Sequence, residues 1–180
     1  MNTQKGYKMF RAKDKKLFPM YVLADKETPI GEWVEAEEGC RGDGKLFDKV
    51  KSKLGWLAYR PGWHIALIPN APWIGKKNKN GELLLRNDCV WCEVEYCTDK
   101  NYQPEARENG WRLGRWAANR AYLKHIPWNG YYSYRTNTNG DEWIIAGNMR
   151  VIRILSNEER IAICKENGVI PQRTESEVVA

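Results

Sequence analysis

The stretch Cys89-Val90-Trp91-Cys92-Glu93-Val94-Glu95-Tyr96 decides how the rest of the chain is read. Valines and aromatic rings suit a pleated, half-buried surface, so the stretch predicts a β-strand. Residues three apart on a strand point to opposite faces, which opposes chelation of one metal ion by the C-x-x-C pair Cys89 and Cys92. A structural zinc site also needs a second ligand pair, and the spare candidates Cys40, Cys164, His64 and His125 each stand alone. The cysteines, Cys97 included, therefore read as small buried hydrophobes, and no metal is expected. Glu93 and Glu95 are two apart and share a face. They are either a carboxylate pair for acid–base work or the solvated side of the strand.

Upstream, Tyr7 to Arg11 and Leu17 to Val22 flank the charged turn at residues 12–16, which predicts a hairpin. Thr28 to Glu35 reads as a turn entering a short strand anchored by Trp33. Leu54 to Ile68, broken only by Arg60-Pro61-Gly62, reads as strand, turn, strand, and Glu82 to Arg86 as a further strand. Downstream, Leu113 to Lys124 is a candidate internal helix. Tyr131 to Tyr134 and Glu142 to Val151 predict a hairpin across the Asn139-Gly140 turn, with Gly147-Asn148 interrupting the second strand. Ser156 with Glu159 three residues on is a capping box, and Gly168 supplies the stop of a C-terminal helix. After Pro171 the polar, acidic chain predicts a frayed tail. The expected architecture is α+β. It is one domain over residues 1–171, built on a largely antiparallel twisted sheet or split barrel with a C-terminal helix, followed by a flexible tail over 172–180.

Composition bounds the function. Across 180 residues there are 29 Lys and Arg against 23 Asp and Glu, a net charge of +6, with nine Trp and nine Tyr. So many large rings exclude wholesale disorder. No apolar run is long enough for a membrane span and no signal-peptide core is visible, so a cytoplasmic protein without a membrane partner is expected. The odd cysteine count fits reduced thiols. No Walker loop, G-x-G-x-x-G, H-E-x-x-H or G-x-S-x-G is present, which disfavours ATP hydrolysis, dinucleotide redox chemistry and serine hydrolysis. The positive charge is uneven: residues 25–48 are acidic, whereas Arg107 to Arg135 holds no acid after Glu108.

That basic stretch supplies the candidate binding residues Arg107, Trp111, Arg112, Arg115, Trp116, Arg120, Lys124 and Trp128. Guanidinium groups neutralise phosphates and aromatic faces stack bases, so the pattern suits a polyanionic partner; a solvated basic face over an aromatic core is the other reading. A second constellation is Tyr59-Arg60-Pro61-Gly62-Trp63-His64, where a tight turn presents an Arg, a Trp and a His together. It is either a ligand site or a structural turn with Trp63 in the core and His64 hydrogen-bonded inside.

The segments Tyr7 to Arg11, Leu57 to His64, Val90 to Tyr96, Gly130 to Asn137 and Trp143 to Gly147 occur in an order that resembles a family carried by bacteriophages and mobile elements of gut bacteria. The resemblance runs from about Tyr7 to Pro171, and the R-P-G-W-H block is its most specific part. It implies a counter-defence protein in the bacterial host cytosol. Such a protein would bind and inhibit a host nucleic-acid-handling complex, an effector protein or ribonucleoprotein such as a CRISPR effector nuclease, with direct nucleic-acid contact open and no cofactor. The chain is also similar to the ADP-ribosyltransferase fold. That similarity implies an alternative in which Arg60 or His64 holds NAD, Tyr132 or Tyr134 stacks on nicotinamide, and Glu142 stabilises an oxocarbenium-like transition state.

Overall fold

A computed structural model describes residues 1–43, 49–112, 121–135 and 141–177. The first half of the chain carries strands β1 (Thr3–Lys13), β2 (Lys16–Pro19), β3 (Trp33–Glu35), β4 (Lys49–Ser52), β5 (Gly55–Ala58), β6 (Trp63–Ala66), β7 (Lys76–Lys77) and β8 (Leu83–Leu84). The second half carries β9 (Cys89–Cys97), β10 (Lys100–Asn101), helix α1 (Gln103–Arg112), β11 (Gly130–Arg135), β12 (Glu142–Ala146), β13 (Asn148–Ile154) and helix α2 (Asn157–Glu166).

Strand β9 lies between β1 and β13, antiparallel to both, in a sheet ordered β10-β11-β12-β6-β1-β9-β13-β3 with β2 also paired to β1. Among the described strands only the β10–β11 pair is parallel, and isolated parallel bridges join Ile30 to Val151 and Leu85 to Thr174. The sheet is therefore mixed, and it does not close into a barrel, which removes the split-barrel expectation. It does curl: the Trp63 indole N–H on β6 donates to the carbonyl of Val34 on β3 at 2.9 Å, across most of the strand order.

Alternation along β9 sorts its side chains as the strand period requires. Cys92, Val94 and Tyr96 enter a core with Phe10, Ile65, Met149 and Val151. Cys89 and Trp91 enter a separate core with Met9, Ala71 and Leu155 on the other face. Further along that second face Glu93 is held by Lys5 at 2.6 Å and Arg153 at 3.0 Å, and Glu95 by Arg150 at 2.6 Å. The hydrogen bond from Lys5 is the chief cause that holds the Glu93 carboxyl below its usual range. The two carboxylates are cross-strand ion-pair partners, a poor arrangement for proton donation.

The N-terminal hairpin closes on Asp14 and Lys15, both at positive φ, the backbone of a primed two-residue turn. Strands β11 and β12 pair as an antiparallel hairpin, and the chain breaks after Ala146 so that β13 crosses to the far side of β9. The intended turn at residues 136–140 lies outside the described residues. Both β5 and β6 form, but they do not pair with each other. Strand β5 joins β4 in a small separate sheet, while the Arg60-Pro61-Gly62 bend sends β6 into the main one.

Helix α1 lies upstream of the internal helix expected at Leu113–Lys124; of that stretch, residues 121–124 are not helical and 113–120 lie outside the described residues. One further expectation is corrected. The stretch after Pro171 is not a frayed tail as far as Glu177. Helix α2 has its capping box at Ser156 and Glu159 and buries Arg160 and Cys164. The Arg160 guanidinium donates to the Gln172 carbonyl at 2.7 Å, and the Gln172 amide donates to the carbonyls of Ile74 and Leu83. Arg173 and Glu175 then exchange backbone hydrogen bonds with Leu85. A buried guanidinium needs acceptors, and the chain after Pro171 supplies one.

Ending the chain at Pro171 should therefore destabilise the fold by about 2–5 kcal/mol, because buried donors lose their acceptors. Urea denaturation of the shortened chain checks this; an unchanged midpoint would show that these residues carry no structural role.

Candidate functional site

Strand β1 shares one of its edges between two neighbours. It meets β6 at Tyr7 and Ala66, then β2 from Phe10 onward. Between those contacts the two neighbours diverge. Lys8 stands at the fork, its Nζ donating to the His64 carbonyl at 3.0 Å. A cavity of about 380 Å³ opens there. Because it runs through a gap in the sheet, side chains of both parities line it: Lys8 and Trp63 from one face, Met9, His64 and Trp143 from the other.

The Arg60-Pro61-Gly62 bend brings the Arg60 guanidinium and the His64 imidazole to this cavity. Gly62 sits at φ +123°, and a Cβ there would drive into Ile145, so both backbone and space call for glycine. The Arg60 guanidinium lies 3.8 Å from the centre of the Tyr134 ring, a cation–π contact, and its Nε is buried without a hydrogen-bond partner. The His64 ring meets Tyr134 edge-on at 5.8 Å. Its Nδ1 is 3.1 Å from the Gly62 carbonyl, which assigns the proton to Nδ1 and leaves Nε2 as an acceptor.

Burial, with the charges of Lys8 and Arg60 adding to it, pushes the His64 imidazole down to about 3, so it is neutral at physiological pH. Burial also pushes the Lys8 amine down to about 8. No carboxylate among the described residues pairs with Lys8, Arg60 or His64. A cation drawn into the protein without a counter-charge is costly, and both Lys8 and Arg60, each half-buried, line this cavity.

The alternation of β12 decides which expected residues meet. Tyr134 is registered with Trp143 and Tyr132 with Ile145, which is in turn registered with His64. Arg60, His64 and Tyr134 converge. Tyr132 is fully buried in the same core cluster as Tyr134, with its hydroxyl pKa raised by that burial. Glu142 is registered with Arg135 and lies 3.5 Å from its guanidinium, on the face opposite Tyr134. The five-residue set implied by the transferase similarity is thus split, and Trp143 occupies the place beside Tyr134.

The expected basic and aromatic surface is visible in part. Arg107 and Trp111 lie one turn apart on α1, with Trp111 82% exposed, and Trp128 is 52% exposed with Lys124 also at the surface. Arg112 ends α1, and Arg115, Trp116 and Arg120 lie outside the described residues. Lys8 belongs to neither of the two constellations that the sequence singles out. Its signal is parity: Gly6, Lys8 and Phe10 share one face of β1, and Phe10 is fully buried. Trp73 and Trp143, edge-on at 6.4 Å in the cavity wall, carried no such signal.

Comparison with known families, curated proteins and solved structures finds no match to this chain.

The depressed His64 sets a pH dependence. An unfolded histidine takes up a proton near pH 6.5, whereas folded His64 does not until about 3, so the unfolded state binds more protons between these values. Stability is fully present above about pH 6.5 and is lost as pH falls toward 3. A His64→Gln variant, which keeps a donor for the Gly62 carbonyl, should lose stability less steeply between pH 7 and 4. Denaturation midpoints across that range check this; parallel profiles would show that His64 titrates normally.

Proposed function

We propose that the protein acts by binding, through a cavity that captures an anionic group, and not by transferring ADP-ribose. One observation carries the reading: Lys8 and Arg60 converge on a cavity with a neutral histidine and without a carboxylate partner. An acidic group entering there would neutralise the pair through charge-assisted hydrogen bonds, strong in a site poor in water. The Arg60 fork suits a carboxylate or phosphate, and its unpartnered Nε leaves donor capacity free. His64, held with Nδ1 protonated, offers polar contact without adding charge.

The resemblance to proteins of phages and mobile elements supports a setting in which the captured group belongs to a host component. Counter-defence would then proceed by occupancy of this cavity, with the exposed Arg107, Trp111, Lys124 and Trp128 as a further contact surface on a nucleic-acid-handling complex. Hot spots of such surfaces are enriched in Trp and Arg.

Titration calorimetry with acetate, phosphate and sulfate at constant ionic strength tests the reading. Binding should weaken roughly tenfold, about 1.4 kcal/mol, in Arg60→Met. It should also decline as pH rises through about 8, where the free Lys8 amine loses its proton. Anion binding indifferent to Arg60 and Lys8 would overturn the proposal. So would transfer of label from NAD to protein that disappears in Glu142→Gln.

A further inference from the structure

We infer that the ligand of this cavity is an amphiphilic monoanion: one acidic head on an uncharged alkyl or aryl body, inserted head first. The inference rests on the anion-capture reading above and names the class of molecule that the site takes.

The chemistry and exposure of the lining carry it. Lys8 and Arg60 are the cations of its half-buried part, beside the neutral His64. The wall is largely apolar, with Met20, Val22, Leu23, Leu57, Trp73 and Trp143. The exposed lining is acid-rich, with Glu27, Glu35 and Glu37 against one lysine, Lys26. Glu27 is paired with Lys16 and Glu37 with Lys26, whereas Glu35 has no cationic partner among the described residues. A chain of phosphates would carry its second and third charges past these carboxylates, a like-charge juxtaposition that selects against it. A single anionic head passes to the cations and leaves an uncharged body against the rings.

Size agrees. About 380 Å³ lies at the small end of the range of small-molecule pockets, a fit for one acidic head with a short body. Trp73 is 46% exposed and edge-on to the Trp143 ring, so it stands where the apolar body of a ligand would cover it. Large exposed apolar surface beside a concave wall is what a binding site presents.

The probes are acetate, octanoate, 3-phenylpropionate, octanol and adenosine monophosphate, measured by calorimetry at pH 7. Octanoate or 3-phenylpropionate should bind on the order of 30-fold tighter than acetate, from burial of the body. The better of the two identifies an alkyl or an aryl ligand. Octanol should bind far more weakly, because it leaves the cations unpaired. Trp73→Ala should weaken the tailed anions about tenfold and leave acetate unchanged. Replacing Glu27, Glu35 and Glu37 together by Gln should tighten adenosine monophosphate and leave octanoate within about twofold.

If acetate and phosphate bind through Arg60 as tightly as the tailed anions, the amphiphile inference fails while anion capture stands. The inference also fails if the nucleotide binds best in the unaltered protein. If no anion binds in an Arg60-dependent way, or octanol matches octanoate, both readings fall.

Discussion

Strand β1 pairs with β9 from Thr3 to Arg11 on one edge, while its other edge is divided between β6 and β2. Two strands cannot both hydrogen-bond to the same few residues, so they part at Lys8. A gap inside a sheet exposes backbone polar groups that must find partners. Lys8 answers part of that need by donating to the His64 carbonyl, and in doing so it brings an ammonium group into the interior. The cavity, its unpaired charge and its two-sided lining all descend from this division of one edge.

The same protein treats buried charge in two ways. Around Glu93 and Glu95 every charged group meets an opposite charge: Lys5 and Arg153 on the first, Arg150 on the second. These groups are structural, and their pairing lets β9 run apolar at one end and charged at the other on a single face. At the fork, Lys8 meets the His64 carbonyl and Arg60 the Tyr134 side chain, and neither meets a carboxylate among the described residues. Stability alone does not call for that arrangement, since replacing an unpaired buried charge by an apolar side chain removes a desolvation cost. In the binding reading proposed above, a captured anion offsets that cost.

Much of the fold was legible because it rests on short-range physics. The β9 pattern, the Asp14-Lys15 turn, the break at Gly147 and the Ser156–Glu159 cap are each decided by residues a few positions apart. The opposite placement of Cys89 and Cys92 followed from strand parity alone. Elsewhere local signals misled. Nothing local marked helix α1, which docks through Ala106 into a core with Tyr132 and Ile145. Polar composition after Pro171 suggested fraying, yet the chain there is held by a guanidinium on α2 and by Leu85, contacts that span long separations. For the site, the bend at Arg60 to His64 was readable as a presentation device, while its partners were not. Tyr134 comes from the far hairpin, and Lys8 looked like one of several surface lysines.

The sequence by itself determined the periods: which residues alternate, where the chain turns, where the last helix begins, and that an Arg and a His flank a rigid Pro-Gly bend. Those follow from covalent geometry and neighbour interactions, which a linear reading contains. Only the tertiary structure decided which strands share an edge, and therefore where the sheet opens. Strand order put β6 beside β1 and β12, and the β11–β12 register set Trp143 and not Glu142 next to Tyr134, where Arg60 meets that ring without a carboxylate partner among the described residues. Pairing across long separations is set by the global fit of apolar faces, and that information is distributed over the whole chain.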